Sequence, residues 1–184
     1  MIANELKSGT IIEVEGNLYS VTKADHIKPG KGPAYVRCKL KDLKRSRMIE
    51  KTFRSTEKVT VAILEEIRAD YLYHQEGKYY FMNDKDFEEI IADEETIGEK
   101  RKFLKESTSL LLLKYKGRLI DVLLPTFVDL KVTKSEPGVK GNTVSAVRKK
   151  VTLETSLVIE VPLFINNGDI VRVDTRTGKY VTRG

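Results

Sequence analysis

The residues best placed to do chemistry lie in one short stretch, His26-Ile27-Lys28-Pro29-Gly30-Lys31-Gly32-Pro33-Ala34. Lys31 stands at its centre between two glycines, so neither neighbour has a side chain to crowd it. A lysine so placed can extend away from the protein body, and the bare backbone beside it can approach a partner closely. Its ammonium is a compact positive charge on a flexible stem, suited to phosphate or sugar oxygens. The same residues also make an ordinary tight turn with a solvated lysine, because Gly, Pro and Lys are common turn residues. Taken alone, the stretch favours the ordinary turn, and the rest of the chain must shift that balance.

Other chemistries find little support. Gly30-Lys31-Gly32 has no Ser or Thr after the lysine and no earlier glycine at the spacing of a phosphate loop. The two histidines, His26 and His74, and the single cysteine, Cys38, fall in different regions, a poor basis for a metal site. No base–nucleophile pair stands out, and neither an enzyme activity nor a cofactor is expected. Cys38 cannot form an internal disulfide, which fits a reducing, cytoplasmic setting; its strand spacing with Tyr35 and Val36 makes it a packed thiol. Asp93-Glu94-Glu95 reads as a solvated charge run between helices. The aromatics from Tyr71 to Phe81 could stack bases, but alternation assigns about half of them to the core.

The elements that must position Lys31 are strands. Leu18 to Lys23 and Ala34 to Leu40 alternate apolar and polar residues, so the loop joins a hairpin. With Gly9 to Val14, Met48 to Phe53 and Lys58 to Leu64 they make five strands at short spacing, a small barrel. From Glu65 the chain gives an aromatic hairpin, Tyr71 to Met82. A helix capped by Asn83 or Asp84 is expected next, with Phe87, Ile90 and Ile91 on one face. A second helical stretch runs from Glu94 to Lys105, before strands at Ser109 to Tyr115 and Arg118 to Leu124. After a boundary near Pro125-Thr126, a second set of strands begins at Phe127. Pro162 marks an edge or a bulge in it, and Arg148-Lys149-Lys150 opens one of its strands. The stretch from Ser135 to Thr143 reads as flexible.

The chain has 184 residues and a net charge of +6. From Lys23 to Lys58 basic residues outnumber acidic ones three to one; from Glu65 to Glu106 acids dominate; from Lys131 onward bases lead again. Two basic ends around an acidic middle suit an elongated polyanion touched at two separate places. No apolar run approaches a membrane span, and no signal peptide is read at the N-terminus.

Several motifs in order carry a resemblance. They are Lys28-Pro29-Gly30-Lys31-Gly32; Lys39-Leu40 with Glu50-Lys51-Thr52-Phe53; Tyr71-Leu72-Tyr73 with Phe81-Met82-Asn83; Val161-Pro162-Leu163-Phe164-Ile165; and Val173-Asp174-Thr175-Arg176-Thr177-Gly178-Lys179-Tyr180-Val181. The chain resembles the bacterial elongation factor P family from end to end. That resemblance implies a mostly all-β protein of three small barrels in an elongated L-shape. An SH3-like (KOW-type) domain over 1–64 would carry the loop, followed by OB domains over 65–125, with a short helical insert, and 126–184. It implies a monomeric, non-enzymatic factor that binds the 70S ribosome between the peptidyl-tRNA and exit sites. There it would promote peptide-bond formation when consecutive prolines stall synthesis.

By position, Lys31 matches the loop-tip lysine that many members carry modified, so a lysine-modifying enzyme is an expected partner. Lys28, Pro29, Gly30, Gly32 and Pro33 frame it against the peptidyl-tRNA. Gly141-Asn142-Thr143 corresponds to a Gly-Asp-Thr loop near messenger RNA in the exit site, with Asn142 in place of the aspartate. Tyr180 and Arg183 match residues facing small-subunit ribosomal RNA. Ser156 stands where a glycine is usual, and Lys150-Val151-Thr152 replaces a Pro-Ala-Thr pattern. The alternative is a general RNA-binding or translation-initiation-type module of the related eukaryotic and archaeal class, which lacks a third domain.

Overall fold

A computed structural model describes residues 1–45, 47–135 and 148–184. It is built on three five-stranded sheets, with little helix. The first has the order β4-β3-β2-β1-β5: β1 Ile11–Val14, β2 Asn17–Ile27, β3 Tyr35–Asp42, β4 Met48–Arg54 and β5 Thr60–Val61. Alternation places Val36, Cys38 and Leu40 of β3 inward and Arg37, Lys39 and Lys41 outward. Val21, Ile12, Phe53 and Leu6 complete that core. The five strands and their order of appearance match the expected small barrel.

The second sheet has the order β10-β9-β6-β7-β8, from β6 Glu65–Gln75, β7 Lys78–Asn83, β8 Glu89–Asp93, β9 Ser109–Tyr115 and β10 Arg118–Leu123. Tyr71, Tyr79 and Phe81 are buried, while Tyr73 and Tyr80 stack on the outer face with ring centroids 4.5 Å apart. The aromatics therefore divide between core and surface as alternation requires.

The helix expected over Asn83 to Ile91 is absent. The chain makes a turn and then enters β8, which pairs with β7 through Phe81 and Ile90. The Asn83 side chain accepts from the Lys85 amide at 3.0 Å, closing a turn where a helix cap was expected. Ile90 is buried and its neighbour Ile91 exposed, the period of a strand. Phe87 lies at φ +57°, outside helical space.

The second helical stretch does form, as one α-turn, α1 Glu94–Ile97, and a 3-10 segment Gly98–Phe103. Asp93 is its cap and accepts from the Thr96 amide at 2.7 Å. Gly98, at φ +53°, ends the α-turn.

The third sheet has the order β13-β12-β11-β14-β15, from β11 Phe127–Ser135, β12 Arg148–Leu153, β13 Val158–Pro162, β14 Ile170–Asp174 and β15 Lys179–Arg183. Pro162 closes the edge strand β13, where its missing N–H costs no ladder bond. Leu130, Leu153, Val161, Ile165 and Val171 form the core, and the ring of Phe103 packs on it.

By its contacts the described chain groups into two units, residues 1–66 with 113–121, and residues 67–112 with 122–184. Among the described residues no helix is long and apolar enough to cross a membrane.

Candidate nucleic-acid interface

The loop of residues 28–34 springs from the ends of the longest hairpin among the described residues. Strands β2 and β3 pair in antiparallel register from Tyr19↔Asp42 to Ile27↔Tyr35, with one bulge between Val21 and Lys23. Buried Val36 and Cys38 hold the root of the far leg in the core. On the other side of β3, Tyr35 pairs with Arg54, and the Ser55 amide donates to the Ala34 carbonyl at 3.0 Å. Both legs of the loop are thus tied to a sheet up to its first free residue.

Within the loop Lys28 through Pro33 are all exposed. Pro29 and Pro33 fix their own φ and withhold two amide donors, which stiffens the legs without pairing them. Gly32 sits at φ +105°, a conformation that an L side chain rarely adopts. Lys28 and Lys31 make no hydrogen bond or ion pair among the described residues. An unpaired ammonium is therefore presented at the tip of a braced hairpin.

The outer face behind the tip is also basic. Lys23 and Lys39 face each other across β2 and β3, and Arg37 and Lys41 lie on the same side of β3. On this face Lys23 pairs with Asp25 at 2.9 Å and Lys39 with Glu50 at 3.7 Å. The hydrogen bond from Lys23 holds the Asp25 carboxyl below the usual carboxylate range. Such exposed, solvent-screened pairs add little to stability, and with Arg37 and Lys41 the face stays net positive. Arg37 and Lys41 were readable in the alternation Arg37-Cys38-Lys39-Leu40-Lys41, which puts three cations on one strand face.

The arrangement can hold an anion or a sugar–phosphate edge. Cys38 is buried, and desolvation, with Asp25 nearby, pushes its thiol up, away from the reactive thiolate. His26 and His74 lie on separate strands, and no group of three metal-ligating side chains occurs among the described residues.

The remaining expected site residues lie on or beside the third sheet. Gly141, Asn142 and Thr143 lie outside the described residues. Tyr180 is half-buried, its ring packed against the third core. The Arg183 guanidinium donates to Asp169 at 2.8 Å. The run from Val173 to Val181 is a tied turn between β14 and β15. Asp174 accepts from the Arg176 amide at 2.9 Å and from its guanidinium at 2.7 Å, and the Gly178 amide donates to the Asp174 carbonyl at 2.8 Å. Those bonds from Arg176 lower the Asp174 carboxyl to about 2. The Thr175 hydroxyl donates to the Pro125 carbonyl at 2.7 Å.

Three family models match successive parts of the chain. The Elongation factor P KOW-like domain matches residues 2–59, the Elongation factor P OB domain residues 64–122, and the Elongation factor P C-terminal model residues 128–183. Elongation factor P of Moorella thermoacetica is 45% identical over 180 residues, spanning 98% of this chain and 97% of that one. The Natranaerobius thermophilus protein of the same name is 45% identical over 181 residues, 98% and 96% of the two chains.

Among solved structures, eukaryotic translation initiation factor 5A from Methanococcus jannaschii superposes with a TM-score of 0.55. It has 19% identity and covers 67% of this chain and 92% of that one, a likeness of fold. Family models named for elongation factor P over all three sheets mark the chain as a translation factor. The chain belongs to the elongation factor P family.

Proposed function

We propose that this elongation factor binds the ribosome between the peptidyl-tRNA and exit sites and promotes peptide-bond formation at consecutive prolines. Three domains, over 1–64, 65–125 and 126–184, carry out the task. The first reaches the peptidyl-tRNA through Lys28 to Pro33. The third, through the β15 residues Tyr180 and Arg183, meets small-subunit RNA. Peptidyl transfer remains the work of the ribosome.

The observation that carries this reading is the ammonium of Lys31, unpaired among the described residues, at the tip of a loop tied on both legs. Proline is a conformationally restricted reactant, so the contribution it lacks is orientation. A tethered cation that grips phosphate or sugar oxygens of the tRNA end supplies orientation and no proton transfer. The basic outer face of β3 adds sequence-independent attraction for the RNA backbone. A group added to Lys31 by a modifying enzyme lengthens its reach.

A general RNA-binding module of the initiation-factor type accounts for the two-thirds of the chain that superposes on factor 5A. It offers no reason for the match of residues 128–183 to the Elongation factor P C-terminal model. Polyproline synthesis by purified ribosomes with wild type and Lys31→Ala tests the reading. A large loss of rate with ribosome binding retained is expected; equal rates would end it.

A further inference from the structure

Beside the root of the loop-bearing hairpin lies a polar cluster that the loop itself does not explain. Glu13 lies in β1, opposite Leu18 at the start of β2 and opposite Thr60 of β5. Its Oε2 accepts from the Tyr115 hydroxyl at 2.8 Å and from the Lys116 ammonium at 2.9 Å. The same ammonium stands 4.8 Å from the centroid of the Tyr115 ring, within cation–π range.

Lys116 and Gly117 both have positive φ, +49° and +78°, so a tight two-residue turn sets the ammonium beside the ring. Both donors hold the Glu13 carboxyl below its usual range, Lys116 foremost. These residues group with the loop-bearing barrel, although β9 and β10 belong in sequence to the second sheet.

The position of the cluster gives it leverage. Nine residue steps separate Leu18 from Ile27, about 30 Å of strand at roughly 3.3 Å per residue. A tilt of about 5° at the root moves the far end by about 2–3 Å, and a misplacement of about 1 Å can cost on the order of 100-fold in a positioned reaction. Lone surface ion pairs rarely matter to stability. Here the ion pair is joined by a hydroxyl bond and a ring contact, at the end of a long arm whose tip must be placed.

We propose that Glu13, Tyr115 and Lys116 are positioning residues that brace the root of the β2–β3 arm and thereby aim Lys31. This rests on the function proposed above. The brace acts through the arm and touches no RNA.

Two measurements on the full-length protein test it together. The first is the saturated rate of proline–proline bond formation, with the half-saturating factor concentration and the melting temperature, for Glu13→Lys, Tyr115→Phe and the exchanged pair Glu13→Lys/Lys116→Glu. The brace predicts that Glu13→Lys lowers the saturated rate about 10-fold or more, with half-saturation and melting little changed. Tyr115→Phe, which removes only a hydroxyl, gives a smaller loss, and the exchanged pair recovers to within about 3-fold of wild type. A lowered melting temperature with no recovery in the exchanged pair would mark a merely structural role and overturn the proposal.

The second is the pulsed-EPR distance between spin labels at Lys28→Cys and Lys114→Cys. It should be narrow with the brace intact, broadened by Glu13→Lys and narrowed again in the exchanged pair. An unchanged distribution in all three would overturn the brace whatever the rates. Lys31→Ala run in parallel separates the failures. If Lys31→Ala is inactive while Glu13→Lys keeps full rate and an unchanged distance, the brace alone is wrong. If Lys31→Ala keeps full rate, the proposed function is wrong, and the distance still decides the brace.

Discussion

Gly32 and Ser156 meet the same backbone demand with different residues. Gly32, at φ +105°, has open space where a Cβ would go, so any cost of a side chain there is purely conformational. Gly32→Ala should strain the loop by about 1–2 kcal/mol. The exposed loop relieves that strain by moving, so thermal melting should change little while proline–proline bond formation falls. Gly30→Ala is the control: its added Cβ also meets nothing, and its φ lies outside the left-handed range, so activity should hold.

Ser156 turns the chain between β12 and β13 at φ +65°. A glycine would adopt that conformation without the steric cost a Cβ brings. Ser156→Gly should raise stability by about 0.5–1 kcal/mol in urea unfolding, with activity unchanged. The exposed tip at Lys31 was readable from its flanking glycines and prolines. The partners of Arg183 and of Glu13 were not, because each lies in a different element and no periodicity links them.

At the scale of elements, most strands were legible because alternation survives in them, as in β3 and β11. The segment from Asn83 to Ile91, expected as a helix, carries no such unambiguous alternation. Asn83 caps a turn or a helix with the same side-chain oxygen, and three apolar residues over five positions fit either period. Pairing with β7 decides for a strand, and that long-range fact is not written locally.

The motif from Val173 to Val181 was legible as a signature but not as a mechanism. Its structure is a turn stapled by Asp174 and Arg176. The Asp174 carboxyl titrates at about 2 in the fold, against 3.8 when free. Its contribution to stability is therefore fully present above about pH 4 and is lost as pH falls through about 2. Asp174→Asn should be less stable than wild type at neutral pH, and the gap should close over that window. Acid unfolding followed by circular dichroism at a series of denaturant concentrations measures it.

At the scale of the whole chain, composition shows where charge gathers but not which residues meet. Basic residues concentrate in the first and third segments and acidic ones in the middle. Structure then adds what composition could not: the cations of β3 share one face, and an exposed loop leads from it. The central claim is that Lys31 works at the end of the peptidyl-tRNA. Directed hydroxyl-radical cleavage tests that claim most directly, with an iron chelate tethered at Lys31→Cys in stalled ribosomes; Cys38 is buried and is expected to stay unlabelled. Cleavage concentrated at the 3′ end of the peptidyl-tRNA and the adjoining ribosomal RNA is the predicted result. A bound factor that leaves the tRNA end intact and cuts elsewhere would contradict it.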